Sequence, residues 1–144
     1  MLIYVDSSAL LKRALEEAES DALDATLASH VDSGNVLVAS SLAWVEVSRA
    51  VRTVGEAAAY PDHRVADAIA VSLSGISERR VSDDVISVAR RVAPPVLRSL
   101  DAIHLATALL IDADEMLTYD DRLAAACRHN GLAVTAPGRP LRET

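Results

Sequence analysis

Short runs of apolar residues, each followed by polar residues and a helical pattern, recur along this chain. The first run covers residues 2–5 and ends at Asp6, after which apolar residues return at helical spacing. A continuous rather than alternating run is typical of a strand covered on both faces of a parallel sheet. Ser7 is a suitable N-cap for the helix that follows. The pattern therefore predicts Asp6 at the carboxyl end of a central strand, where open α/β sheets bind ligands.

Four further segments have the composition of strands, with amphipathic helices between them. The predicted strands are residues 36–39, 76–81 at an edge of the sheet, 115–118 and 132–135. The predicted helices are residues 7–15, 16–28, 41–55, 61–73, 82–92, 99–111 and a last helix from 120 or 121 to 130. This alternation predicts a three-layer α/β/α sandwich around a mainly parallel sheet of four to five strands. We expect one domain over residues 1–144, with 136–144 as an irregular tail.

The composition favours a globular protein. Hydrophobic residues make up 51% of the chain, but no apolar stretch reaches the roughly 18 residues that a membrane span needs. Lys12 and Arg13 follow the first apolar run too closely for a secretory signal, so we expect a cytoplasmic protein. Cys127 is the single cysteine, which excludes an internal disulfide and a thiolate metal cluster. Its alanine-rich neighbourhood predicts a packing role.

The charge balance is acidic. A net charge of −7 disfavours simple electrostatic binding to nucleic acid and suits a metal site built from carboxylates. All basic residues except Lys12 are arginines, which bind phosphate through a planar, bidentate group. Arg13, Arg49 and Arg98 are candidates to line the approach to such a site.

Four acidic residues share one kind of position in the predicted fold. Asp6 and Asp120 follow strands, Asp101 lies in the first turn of its helix, and Glu46 lies early in the helix after the second strand. Each also has a purely structural explanation. An aspartate at a helix start caps the helix or interacts with its dipole, and Glu46 has Arg49 at a spacing that allows a surface ion pair.

A shared metal site explains all four acids together. Carboxylates that are brought close repel one another, and their burial becomes tolerable when divalent cations neutralise them. Oxygen ligands of this kind suit Mg²⁺ or Mn²⁺ rather than zinc. Such an ion activates water and stabilises the charge that develops when a phosphodiester is cleaved.

Four motifs, YVDSSALLK, SLAWVEVSRAV, LDAIHLATAL and LTYDDRLAAACRHNGLAV, occur in this order over nearly the whole chain. Together they resemble the PIN-domain ribonucleases, and specifically the VapC-type toxins of bacterial toxin–antitoxin modules. The resemblance implies a PIN-like fold and a metal site formed by Asp6, Glu46, Asp101 and Asp120.

The same resemblance gives roles to residues around these acids. The Thr-x-Asp pattern at Thr118 selects Asp120 over Asp121 as the fourth acid, with Asp121 as the alternative. Ser7 and Thr118 match positions where the family offers a hydroxyl to the acids, although helix capping or a turn explains them equally well. His104 lies one turn after Asp101 and is expected to pack structurally or to support the ligands rather than to bind the metal.

The function implied by the resemblance is that of a Mg²⁺-dependent endoribonuclease toxin. Water activated by the metal would attack the RNA phosphodiester and leave 3′-hydroxyl and 5′-phosphate ends. The implied partners are an RNA substrate, a small VapB-type antitoxin and a second copy of the chain in a homodimer. Two alternatives remain: a catalytically silent PIN-like binding scaffold, and an Asp-dependent phosphotransfer domain. The latter is disfavoured because the chain has no lysine late in its sequence.

Overall fold

A parallel five-stranded sheet forms the centre of the protein. The computed structural model describes residues 1–140. The strands are β1 (Leu2–Val5), β2 (Val36–Ser40), β3 (Ser77–Arg79), β4 (Glu115–Leu117) and β5 (Ala133–Thr135). Their order across the sheet is β3-β2-β1-β4-β5, and every neighbouring pair is parallel. The predictions that the first strand is central and that the third lies at an edge are therefore confirmed.

Helices connect the strands. They are α1 (Ser7–Leu11), α2 (Ser20–Asp32), α3 (Ser41–Ala57), α4 (Asp62–Leu73), α5 (Asp83–Ala89), α6 (Ser99–Leu110) and α7 (Asp121–His129). The first helix is shorter than predicted and the second begins later. The reason is a loop in which the hydroxyl of Ser20 donates to the carbonyl of Lys12 and accepts from the amide of Glu17.

Each face of the sheet carries its own apolar core. Ile3 and Val5 point to one face, where they pack with buried residues of α1, α2 and α3. Tyr4 points to the other face, among buried residues of α6 and α7 that include Cys127. This alternation along β1 gives the predicted three-layer α/β/α sandwich, and it explains why the strand is apolar at every position.

The start of α1 differs from the prediction. Asp6, not Ser7, is the N-cap, and its side chain accepts the amide of Ala9. Ser7 is the first helical residue, so its hydroxyl is free to bond elsewhere. Asp6 therefore caps α1, which was the simpler explanation of its position. This capping does not exclude a second role in ligand binding at the sheet edge.

The expectation of an irregular tail needs qualification. The predicted tail begins without a helix or strand, but hydrogen bonds hold it to Tyr119. The hydroxyl of Tyr119 donates to the carbonyl of Pro137, and Nη1 of Arg139 donates to the carbonyl of Tyr119, each across 2.7 Å. Residues 141–144 lie outside the described residues. Over residues 1–140, none of the helices combines the length and the apolar character needed to span a membrane.

Candidate functional site

Asp6 lies at the carboxyl end of the central strand and is buried. Ser8 donates to its Oδ1 across 2.6 Å, and Thr118, directly after β4, donates to its Oδ2 across 2.9 Å. Burial raises the pKa of Asp6, and the hydrogen bonds from Ser8 and Thr118 offset this only in part. The carboxyl group is therefore held in place, and the positive charge around it does not compensate for its burial.

Glu46 lies in the second turn of α3 and faces the start of α1. Its Oε1 accepts a hydrogen bond of 2.7 Å from the hydroxyl of Ser7 and lies 2.5 Å from Nε2 of His104. Burial raises the pKa of Glu46, but the hydrogen bond and charge of His104, the hydrogen bond from Ser7 and the charge of Arg98 together outweigh it and leave the pKa below its ordinary value. The surface ion pair with Arg49 that the sequence allowed is absent from the ion pairs of residues 1–140.

Arg98 joins the other two acids. Its Nε donates to Oδ2 of Asp101 across 3.1 Å, and its Nη2 donates to Oδ2 of Asp120 across 3.0 Å. Asp120 is also the N-cap of α7, because its Oδ1 accepts the amides of Arg122 and Leu123. Arg98 therefore supplies a positive charge between two of the predicted metal ligands.

Thr118 links the two aspartates that follow strands. Its hydroxyl donates to Asp6 and accepts the amide of Asp120 across 3.1 Å. Ser8 extends the same network by accepting the amide of Tyr119. The carboxyl ends of β1 and β4 thus meet through hydroxyl groups, as expected for neighbouring parallel strands.

The donors at this edge suit a divalent cation in their chemistry. They are carboxylate oxygens, which Mg²⁺ and Mn²⁺ prefer. Within residues 1–140, no three histidine, cysteine or acidic side chains are already arranged to hold a metal ion. In the same part of the chain, Oε2 of Glu46 and Oδ1 of Asp101 accept no hydrogen bond, so both oxygens are available to a cation.

Asp121 and Arg13 each contact a different part of the chain. Asp121 is 71% exposed and its carboxylate lies 3.7 Å from Arg139. Arg13 donates to the carbonyls of Ser72 and Ser74 at the end of α4, and none of its hydrogen bonds in the described chain reaches the acids. Of the three arginines considered, Arg98 is the one whose hydrogen bonds in the described chain reach the acids.

Two residues at the site were not predicted from the sequence. Ser8 bonds to Asp6, and the hydroxyl of Tyr4 lies 2.6 Å from Nδ1 of His104. Tyr4 stands inside an apolar run, where its ring satisfies the pattern and nothing indicates a partner for its hydroxyl. The available signal was general: a buried tyrosine needs a hydrogen-bond partner for that group.

Comparison with known protein families identifies the family of this chain. The sequence pattern that defines the PIN domain matches residues 3–129. The chain belongs to the PIN-domain family. Among curated relatives of this PIN domain, Ribonuclease VapC46 of Mycobacterium tuberculosis is 42% identical over 137 residues, which cover 94% of this chain and 97% of that protein. Ribonuclease VapC47 of the same species is 34% identical over 139 residues, covering 95% and 98%.

Solved structures share the fold of this PIN domain. VapBC2 from Rickettsia felis, bound to a DNA fragment from its promoter, matches with a TM-score of 0.73 at 12% identity, covering 94% of this chain and 98% of that one. Mycobacterium tuberculosis VapC20, described as a sarcin-ricin loop cleaving toxin, matches with a TM-score of 0.65 at 18% identity, covering 86% and 94%. At these identities the likeness concerns the fold alone.

Proposed function

We propose that this PIN domain is a divalent-metal-dependent endoribonuclease and the toxin of a type II toxin–antitoxin pair. The observation that carries the proposal is the position of Asp6: a buried carboxylate at the end of the central strand, in one hydrogen-bonded network with Asp120. The burial of Asp6 calls for a positive charge nearby. Glu46 and Asp101, two other predicted metal ligands, each have a carboxylate oxygen that is available to bind a cation. The names of the curated relatives support ribonuclease activity.

In this proposal Asp6, Glu46, Asp101 and Asp120 hold Mg²⁺, or Mn²⁺ in its place. When bound, the ion would activate water and offset negative charge on the scissile phosphate. The residues of the chain contribute orientation. Thr118 and Ser8 hold Asp6, whereas Ser7 and His104 hold Glu46.

Arg98 has a second task in the same proposal. Its side chain is 61% exposed at the rim of the acids, so it can turn from Asp101 and Asp120 towards a phosphate of the RNA backbone.

The cleavage products would carry 3′-hydroxyl and 5′-phosphate ends.

The proposed protein partner is a small VapB-type antitoxin. A basic side chain of that partner would compensate the acidic site in the way Arg98 does within the chain, and structural neighbours include toxin–antitoxin complexes. We further propose that the toxin is a homodimer and acts in the cytoplasm, where its RNA substrate is found. Sedimentation of the purified protein with and without the antitoxin tests both assemblies.

An RNA cleavage assay with purified protein tests the activity. Wild type should cleave a mixed cellular RNA in Mg²⁺ and stop when the ion is chelated. Asp6→Asn and Asp101→Asn should lower the rate by roughly 100-fold or more, because the loss of a residue that only orients a ligand already costs about 10- to 100-fold. Asp67→Asn makes the same charge change at an exposed position of α4 and should retain the rate.

Two results would contradict the proposal. One is full activity in a folded Asp6→Asn or Asp101→Asn protein. The other is a folded wild-type protein that cleaves no RNA and gives no heat of Mn²⁺ binding by calorimetry, which would favour the binding scaffold. Mapping the 5′ ends of cleaved RNA after brief expression in bacteria would identify the substrate.

A further inference from the structure

A buried chain of polar groups connects β2 to Glu46 through the core. The amide of Ser40 donates to the hydroxyl of Tyr4 across 3.0 Å, and this hydroxyl lies 2.6 Å from Nδ1 of His104. On the opposite side of the imidazole, Nε2 lies 2.5 Å from Oε1 of Glu46. Tyr4 is completely buried and His104 is 2% exposed, so water does not replace these partners.

The donors and acceptors along this chain determine where the protons lie. The oxygen of Tyr4 already accepts the amide of Ser40, and its own proton needs an acceptor, which Nδ1 of His104 provides. A phenol keeps its proton at neutral pH. With Nδ1 as acceptor, Nε2 carries the hydrogen of the neutral imidazole and donates it to Glu46.

The opposite assignment is less favourable. If Nδ1 carried a hydrogen, that hydrogen and the amide of Ser40 would both point at the oxygen of Tyr4, and the phenol proton would have to turn away from the imidazole towards the side chain of Ser40. In the neutral imidazole, Nε2 would also become an acceptor facing a carboxylate. The arrangement with Nε2–H satisfies every member, in line with the lack of unpaired buried side-chain atoms over residues 1–140.

We propose that Tyr4 and His104 are positioning residues, which form a directional relay of hydrogen bonds that fixes the carboxylate of Glu46 at the sheet edge. Its consequence for metal binding and cleavage rests on the function proposed above. The relay itself is a property of the free protein and can be measured without metal or RNA.

The geometry explains why Glu46 needs such a relay. Glutamate has a long, flexible side chain, and Glu46 is 26% exposed beside Val45, which is 55% exposed. The relay and Ser7 both bind Oε1, from α6 and from the start of α1. Because one oxygen is held from two elements, the other, Oε2, is left pointing in one direction and available to a cation. Groups that orient a metal ligand in this way typically contribute about 10- to 100-fold to affinity or activity.

Nitrogen NMR of the imidazoles in metal-free wild type tests the relay directly. In the neutral imidazole of His104, Nδ1 should have the chemical shift of an unprotonated nitrogen and Nε2 that of a protonated one. The spectrum of His104→Gln identifies the signals of His104 among those of the four histidines. A neutral imidazole with its hydrogen on Nδ1 would overturn the proposal.

Substitutions test the consequence for Glu46, with Mn²⁺ affinity measured by calorimetry as the readout. His104→Leu should weaken Mn²⁺ binding by about 10- to 100-fold. His104→Gln, whose amide can still donate to Glu46, should recover part of this loss. Tyr4→Phe removes one oxygen and should give an intermediate loss with a mixture of imidazole tautomers. His129→Leu, at an exposed site at the end of α7, is the matched control and should bind as wild type does.

The outcomes separate the relay from the proposed function. If wild type binds Mn²⁺ and a folded His104→Leu protein binds it equally well, the positioning role is wrong. If His104→Leu does not fold, Tyr4→Phe and His104→Gln decide the same question. If wild type binds no Mn²⁺ and cleaves no RNA, the proposed function fails, and the NMR assignment still decides whether the relay exists.

Discussion

Arg98 donates from Nε to Oδ2 of Asp101 across 3.1 Å, at the beginning of α6. The same guanidinium reaches Asp120, so two candidate metal ligands share one internal cation. In the proposed site, this guanidinium would compete with a divalent ion for the carboxylates, and once released it would be available to a phosphate of the substrate.

Arg98→Gln should therefore have opposite effects on the metal and on RNA. Mn²⁺ binding should tighten by several-fold, because a competing positive charge is gone, whereas the KM for RNA should rise because a phosphate contact is lost. Calorimetry and steady-state kinetics measure the two effects. Arg90→Gln, at an exposed position after α5, is the control. Weaker Mn²⁺ binding in Arg98→Gln would show that Arg98 supports the site rather than competing in it.

The adjacent acids Asp120 and Asp121 should differ in their effect. Asp120 bonds to Arg98 and caps α7, while Asp121 is 71% exposed towards Arg139. We expect Asp120→Asn to lower RNA cleavage by at least about tenfold and Asp121→Asn to change it less than twofold. Cleavage rates of the two variants, with their melting temperatures, decide between the acids. Equal losses in both would contradict the assignment of Asp120 as the fourth acid.

Gly55 should resist substitution because α3 and α4 touch there. A Cβ added at this buried glycine would lie 2.5 Å from Cγ2 of Val65. Gly55→Ala should lower the free energy of unfolding by about 1–3 kcal/mol through overpacking. The loss should be smaller in a Val65→Ala background, where that methyl group is absent. Urea denaturation of the four proteins measures the coupling, and strictly additive losses would show that the contact is not the cause.

The ion pair between Lys12 and Glu19 should make stability depend on pH at the acid end. Lys12 is buried, and its Nζ lies 3.1 Å from Glu19 and 4.8 Å from the ring centre of Tyr119. The hydrogen bond from Lys12 lowers the pKa of Glu19 below its ordinary value of 4.5. The folded state then binds fewer protons than the unfolded state as the pH falls through this region, so the contribution is present above about pH 4.5 and is lost below it.

Lys12→Met removes the ammonium group that pairs with Glu19 and tests the predicted direction of the pH dependence. The difference in unfolding free energy between wild type and Lys12→Met should be constant between about pH 6 and 8 and should shrink as the pH falls towards the lowered pKa of Glu19. Arg80→Met, at an exposed residue, should show no such trend. Urea denaturation across the pH range is the measurement, and a difference that grows in acid would contradict the prediction.

Cys127 should be chemically inert in the folded protein. It is completely buried in the core between the sheet, α6 and α7, and burial raises the pKa of its thiol to about 12. Almost no thiolate is therefore present at pH 8. Iodoacetamide should leave the native protein unmodified and label it fully in denaturant, as measured by mass spectrometry. Labelling of native protein at the rate of a free thiol would contradict this.

The sequence by itself determined the layers of this protein and the positions of its acids along the chain. A short continuous apolar run is typical of a strand with two covered faces, and the residue after such a strand emerges at the carboxyl edge of a parallel sheet. Asp6 could be placed in this way because it directly follows β1, and Asp120 because it lies shortly after the predicted strand 115–118. The pattern of apolar and polar residues within a strand or helix predicts that element, because this pattern depends only on the residues of the element itself.

The tertiary structure decided which side chains meet. Tyr4 and His104 are separated by 100 residues, and Ser7 and Glu46 by 39, so no local pattern connects them. Arg98 likewise reaches Asp120 only because α6 and α7 begin at the same edge of the sheet. A hydrogen bond depends on distances of a few tenths of an ångström and on the direction of the donor, and these are fixed only when the helices pack on the sheet.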